Sequence, residues 1–126
     1  MKICIIGAGA MGGLYGCRLL LSGQDVQFIE KNQQAVDALN NGDYLFDGID
    51  GEHRIKATAA TSAGGMPAAD IAFIHTDTNN TRAAGEHAKA VLKADGWAVT
   101  FQNGVGNVET LCEVLGEERV VGGISY

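Results

Sequence analysis

The sequence predicts an α/β domain over residues 1–126: a doubly wound, mostly parallel sheet with helices on both faces. Two observations point there. Short apolar runs suited to buried strands alternate with stretches of helical period, the pattern of successive strand–helix–strand units. The first of those runs ends directly in a glycine cluster that opens the first helix, as the leading turn of such sheets does. Crossovers are expected to be right-handed, and no internal repeat or low-complexity segment interrupts the series.

Residues 2–6 (KICII) form an apolar run ended by glycine, which suits a buried strand. Residues 10–22 read as a helix with Met11, Leu14, Tyr15, Leu19 and Leu20 near one face and Gly23 as its stop. Residues 25–30 (DVQFIE) are a second strand, and 33–42 a helix running into Asn-Asn-Gly. Residues 44–61 look like a hairpin, or a pair of short strands, turning at Asp50-Gly51. A loop over 63–70 leads to a strand at 71–76 (IAFIHT). The next helix, 80–94, turns Ala83, Ala84, Ala88, Val91 and Leu92 inward. A strand GWAVTFQ, a short helix 108–116 and a last strand RVVGGISY complete the order.

Composition narrows the function classes. Nine basic residues against fifteen acidic ones give a net charge of −6. With no basic cluster, a nucleic-acid partner is not expected. The apolar runs are far shorter than a membrane span, and the start is no signal peptide, so the expected compartment is the cytoplasm and no membrane partner is expected. Cys4, Cys17 and Cys112 are odd in number and lack metal spacing, so neither a disulfide framework nor a metal site is expected, and all three read as buried reduced thiols.

The eighteen glycines, about twice the usual share of ~7 %, punctuate apolar runs rather than form a linker. Gly7, Gly9 and Gly12, with Ala8, Ala10 and Met11 between them, make a G-x-G-x-x-G turn from strand to helix. A pyrophosphate fits there. Gly7 permits the tight turn, Gly9 lets the backbone approach the phosphates, and Gly12 lets helix press on strand. The helix N-terminus supplies free N–H groups and a partial positive charge, and Gly16 extends the close packing one turn further. This makes the chain a Rossmann-type dinucleotide-binding domain. Glu30, about 20 residues on, can accept both ribose hydroxyls of NAD(H). Lys31 beside it can hold the 2′-phosphate of NADP(H). The two residues point opposite ways.

Ligands of open α/β sheets lie beyond the carboxyl ends of the strands. The stretch FQNGVGNVETL therefore puts Asn103 on the ligand side, with Gly104 and Gly106 keeping the backbone uncrowded. Asn107 could cap the next helix, with Glu109 in its first turn. FIHTDTNN leaves another strand on the same rim and reads as the floor of a site. Thr76 and Thr78 are within reach of ribose or phosphate, Asp77 lies between them, and His75 closes the strand.

Three stretches, KICIIGAGAMGGLYGCRLLLSGQDV, QNGVGNVETL and VVGGISY, together with their spacing, resemble the N-terminal half of the ketopantoate reductase (2-dehydropantoate 2-reductase) family. The second is the most specific. The resemblance implies a two-domain enzyme that reduces 2-dehydropantoate to pantoate by hydride transfer from NADPH, on the route to pantothenate and coenzyme A. It implies that Gly7, Gly9 and Gly12 hold the pyrophosphate. Lys31 stands where the family usually has an arginine for the 2′-phosphate, and Asn103 lies at the nicotinamide and substrate. In the family the proton donor is a lysine of a helical C-terminal domain, which this sequence does not include. No catalytic residue is therefore assigned within 1–126, and the chain alone is expected to bind dinucleotide without turnover.

Two positions depart from the family pattern. Asp77 takes the place of a lysine that faces cofactor and substrate, which would repel the carboxylate of a 2-keto acid. Glu30 weakens the preference for NADP(H) and leaves NAD(H) open. A related dehydrogenase with another substrate and a non-catalytic nucleotide-sensing domain are the alternatives. The expected partners are the dinucleotide, a small 2-keto acid in the full-length protein, and a second copy of the chain on the surface the missing domain would cover.

Overall fold

The computed structural model describes residues 1–7, 10–48, 51–75, 81–100 and 107–122, with the backbone alone at 10–15, 48, 107 and 122. Among the described residues eight strands and four helices follow in the order β1 (Lys2–Ile6), α1 (Ala10–Leu21), β2 (Asp25–Ile29), α2 (Gln33–Asn41), β3 (Tyr44–Gly48), β4 (Gly51–Ile55), β5 (Thr58–Ala60), β6 (Ala69–Ile74), α3 (Thr81–Val91), β7 (Leu92–Thr100), α4 (Asn107–Leu115) and β8 (Val120–Gly122), with a 3-10 turn at Glu117–Arg119 before the last strand.

Six strands form one sheet in the order β5-β2-β1-β6-β7-β8. Every pairing in it is parallel. The predicted doubly wound sheet is therefore the observed one. Successive side chains of a strand face opposite ways, and the core divides accordingly. Cys4, Ile6, Ile29, Ala72, Ile74 and Ala98 pack with Ala84, Ala88 and Val91 of α3 and Leu111 and Leu115 of α4. Ile3, Ile5, Val26 and Phe28 pack with Cys17 of α1, Val36 and Leu39 of α2, and Phe46 and Ile55 of the β3–β4 hairpin. Central strands buried on both faces explain why KICII and DVQFI read as nearly continuous apolar runs.

The helix ends follow local chemistry. After α1, Gly23 has φ 93°. Its N–H donates to Leu20 O at 3.0 Å, and Gln24 N–H donates to Leu19 O at 3.0 Å. This is the paired closure that a left-handed residue allows, at the glycine the sequence marks as a stop. At the start of α2, Asn32 Oδ1 accepts from Gln34 N (2.9 Å) and Ala35 N (3.3 Å).

Four expectations need correction. The hairpin covers only Tyr44–Gly48 and Gly51–Ile55, with Ile49 and Asp50 outside the described residues. Thr58–Ala60 instead joins the main sheet parallel to β2. Its outer edge is closed by one side chain: Asn40 Nδ2 donates to Ala59 O (2.9 Å) and Ala59 N donates to Asn40 Oδ1 (3.0 Å). The Asn40 amide thus stands in for a neighbouring strand at an edge. Second, Ala83 is exposed, while Thr81, Ala84, Gly85, Ala88 and Val91 are buried. That is the i, i+3, i+4, i+7 stripe of α3. Third, β7 begins at Leu92, inside the expected helix. It advances from 92 to 97 while β6 advances from 69 to 71, and Arg119 binds the bulge through Lys93 O (2.9 Å) and Gly96 O (3.1 Å). Fourth, Cys112 is half-buried, whereas Cys4 and Cys17 are buried. Burial pushes the Cys4 thiol up to about 12 and Cys17 to about 11, so both stay protonated and unreactive. Positions 123–126 of the expected last strand lie outside the described residues. Among the described residues no helix is long and apolar enough to cross a membrane.

At the amino ends of the strands, Asp70 ties three strands together. Its Oδ2 accepts from Lys2 N at 2.8 Å, and its Oδ1 pairs with Lys93 Nζ at 3.1 Å. The Lys2 amide bond first, then Lys93, holds the carboxyl below its ordinary range. A depressed folded-state value stabilises the fold above the unfolded pKa of about 3.9. That contribution disappears as the pH falls through the folded-state value. Asp70→Asn is therefore expected to be less stable than wild type in urea melts at pH 7, with a smaller gap at pH 3. An equal gap at both pH values would contradict this.

Candidate dinucleotide site

The opposite, carboxyl rim of the sheet carries Gly7, Glu30, Lys31 and His75 of the residues that the sequence singles out. β1 ends at Ile6, and Gly7 follows with φ 94°, a conformation that disfavours any residue with a Cβ. Gly7 N–H donates to Ile29 O at 2.8 Å, which anchors the turn to the end of β2. α1 then begins at Ala10, so its first turn, with Met11 and Gly12, follows directly from the end of β1. The first-turn N–H groups of a helix have no partner within it. Together with the helix dipole they suit an anion.

Close helix–strand contact falls at Gly16. A Cβ there would lie 2.5 and 2.6 Å from Cε1 and Cζ of Phe28 and 3.1 Å from Cγ1 of Ile5. Such distances forbid any larger residue without movement.

Glu30 follows β2 on the same rim. Its N–H donates to Ala60 O at 2.9 Å, and its Oε1 accepts from Asn32 N at 3.4 Å. Glu30 is half-buried and Lys31 is exposed. The Tyr44 phenol of the hairpin is half-buried, and its pKa is raised by burial first and then by the charges of Cys17 and Glu30. Tyr44 and Asn32 are additions that the strand-end reading misses. Asn32 carries a local signal, a capping residue just before a helix. Tyr44 carries none, because only the inserted hairpin brings it near Glu30.

His75 follows β6. Its N–H donates to Ile6 O at 2.9 Å, beside the Gly7 turn. Burial lowers its pKa below the ordinary 6.5, so the ring is neutral at pH 7. Ala8, Gly9, Thr76, Asp77, Thr78, Asn103, Gly104 and Gly106 lie outside the described residues, as do the side chains of Ala10, Met11 and Asn107. Their flanking elements are placed: β7 ends at Thr100 on this rim, and α4 starts at Asn107 with Glu109 in its first turn.

The structure thus brings Gly7, the first turn of α1, Glu30, Lys31 and His75 to one edge. The residues present fit a dinucleotide: a glycine turn into a helix N-terminus for phosphates, and charged groups at the next strand end for the ribose.

Residues 3–126 match a family model described as ketopantoate reductase PanE/ApbA. The chain is 35 % identical over 125 residues to a 2-dehydropantoate 2-reductase of Pyrococcus horikoshii, covering 99 % of this chain and 40 % of that protein. It is 29 % identical over 126 residues to one of Nostoc sp., covering 99 % and 39 %. A crystal structure of a PanE/ApbA family ketopantoate reductase from Ralstonia eutropha superposes with a TM-score of 0.89 at 28 % identity, over 100 % of this chain and 42 % of that one. The chain therefore spans about two fifths of the length of the relatives it matches.

Proposed function

We propose, starting from the fact that the chain belongs to the ketopantoate reductase PanE/ApbA family, that residues 1–126 bind NADP(H) for the reduction of 2-dehydropantoate. The reaction itself is proposed for a protein of the relatives' full length. The observation that carries the reading is the left-handed Gly7 turn, bonded to β2 and leading into α1, with Glu30 and Lys31 at the neighbouring strand end.

The cofactor supplies hydride to the ketone carbon of the substrate. This chain's residues hold the dinucleotide. The first-turn N–H groups of α1 bind the pyrophosphate, Gly7 makes the tight turn that leads to it, and Gly9 is assigned the close backbone approach on the strength of its sequence position. Lys31, exposed at the rim, pairs with the 2′-phosphate. The Glu30 carboxylate repels that phosphate, but it is turned onto the Asn32 N–H, which offsets part of its charge. Asn103 and Asp77 are assigned to the nicotinamide end on the strength of their sequence positions.

A second reading is favoured by Glu30 itself. It is half-buried and fixed at the end of β2, where a carboxylate accepts both ribose hydroxyls of NAD(H). Calorimetry separates the two. NADPH is expected to bind more tightly than NADH, with Lys31→Ala weakening NADPH about tenfold, the loss of one phosphate-pairing cation, and leaving NADH nearly unchanged. Tighter NADH binding that collapses in Glu30→Gln would replace NADP(H) by NAD(H).

A second copy of the chain is the proposed protein partner. α1, α2 and the hairpin cover one face of the sheet over β5, β2 and β1. On that face, the register partners Ile71 and Trp97, and Phe73, Val99 and Val121, form a strip across β6, β7 and β8. Trp97 is 49 % exposed and Val121 44 %, a continuous apolar surface of the kind that associates. Trp97 is the single tryptophan. Its emission is expected to shift to shorter wavelength with rising protein concentration as a dimer forms, and Trp97→Lys to stay monomeric in sedimentation. A concentration-independent spectrum and a monomer mass at high concentration would remove this proposal.

A further inference from the structure

Gly16 lies in the middle of α1, a turn and a half beyond the anion-binding end of the helix. A glycine there weakens the helix relative to alanine, so its presence calls for a reason outside helix propensity. The surroundings supply one. An added Cβ would come within 2.6 Å of two ring atoms of Phe28 and 3.1 Å of Ile5. Phe28 has no exposed surface and belongs to the buried cluster that also holds Cys17, Val36, Leu39 and Phe46. Its ring cannot swing aside into solvent. A side chain at position 16 must therefore push α1 off the sheet or push β2 along with the ring.

Each movement reaches one half of the candidate site. α1 carries the N–H groups aimed at the pyrophosphate, and Phe28 stands on β2 two residues before Glu30. We propose that the Gly16–Phe28 contact is the spacer that sets the distance between the phosphate-binding end of α1 and the ribose-binding end of β2. Gly16 and Phe28 are positioning residues for the dinucleotide, although neither touches it. This rests on the dinucleotide reading above.

The test is a set of four proteins, wild type, Gly16→Ala, Phe28→Leu and the double variant, titrated with NADPH and NADH and melted in urea. Gly16→Ala is expected to bind the preferred dinucleotide about tenfold or more weakly, the scale of an overpacked contact. In the double variant, where the shorter side chain makes room for the methyl group, binding is expected to return to within about twofold of Phe28→Leu alone, the scatter of additive changes. A purely structural role would move the melts and leave affinity of the folded protein unchanged.

Gly16→Ala that folds and binds like wild type would overturn the proposal. So would a double variant that folds and stays as weak as Gly16→Ala. If Gly16→Ala does not fold, the double variant decides alone: folding with dinucleotide affinity near that of Phe28→Leu supports the spacer, and folding without binding overturns it. Wild type that binds neither dinucleotide would remove the dinucleotide reading itself, and the spacer with it, whatever the variants do.

Discussion

The turn at Gly7 is the constraint on which the rim depends. A strand buried at the centre of a parallel sheet must leave it at its carboxyl end and reverse into a covering helix within a few residues. Here the reversal uses a left-handed residue with its N–H bonded to Ile29 O of the neighbouring strand. That single bond fixes where β1 stops relative to β2. His75 N–H bonds Ile6 O from the other side, so β2, β1 and β6 all end in register around the same point. α1 can then start at Ala10 with its first-turn N–H groups at the centre of the rim.

The opposite end of the sheet is finished by side chains. Asp70 takes up the Lys2 amide and Lys93, Arg119 takes two carbonyls of the β7 bulge, and Asn40 pairs both backbone groups of Ala59 at the sheet edge. Buried Gln27 reaches the loop before β6 through Pro67 O at 2.8 Å. Each satisfies backbone groups that the ladder leaves over, which polar groups away from water require. The effect is a base and edges whose backbone groups are paired, with the Gly7 turn and the strand ends on the opposite rim.

Much of this was legible in the sequence because it is local. KICII, the glycine turn and Gly23 follow from apolar runs and from the one residue that tolerates φ near 90°. Glu30 and Lys31 follow from their distance along the chain. What was not legible depends on partners far away in sequence. Thr58–Ala60 is too short to show a period, and its strand character comes from β2 on one side and Asn40 on the other. The start of β7 hides in a Lys-Ala-Asp-Gly stretch that reads as a helix end, because Arg119, 26 residues on from Lys93, holds the bulge. The Ala83 phase was ambiguous because an alanine-rich helix offers two small faces. At the site, Gly16 was visible as a glycine, but the ring it meets was not. Tyr44 comes near Glu30 through an inserted hairpin.

We propose that the carboxyl rim around Gly7 receives the dinucleotide. Amide chemical-shift mapping during titration with NADPH tests it most directly. The largest shifts are expected on Gly7, the first turn of α1, Glu30, Lys31, Asn32 and His75, with Lys2, Asp25 and Asp70 at the other end of the sheet unmoved. Shifts centred on the amino ends of the strands, or on the Trp97 face, would contradict it.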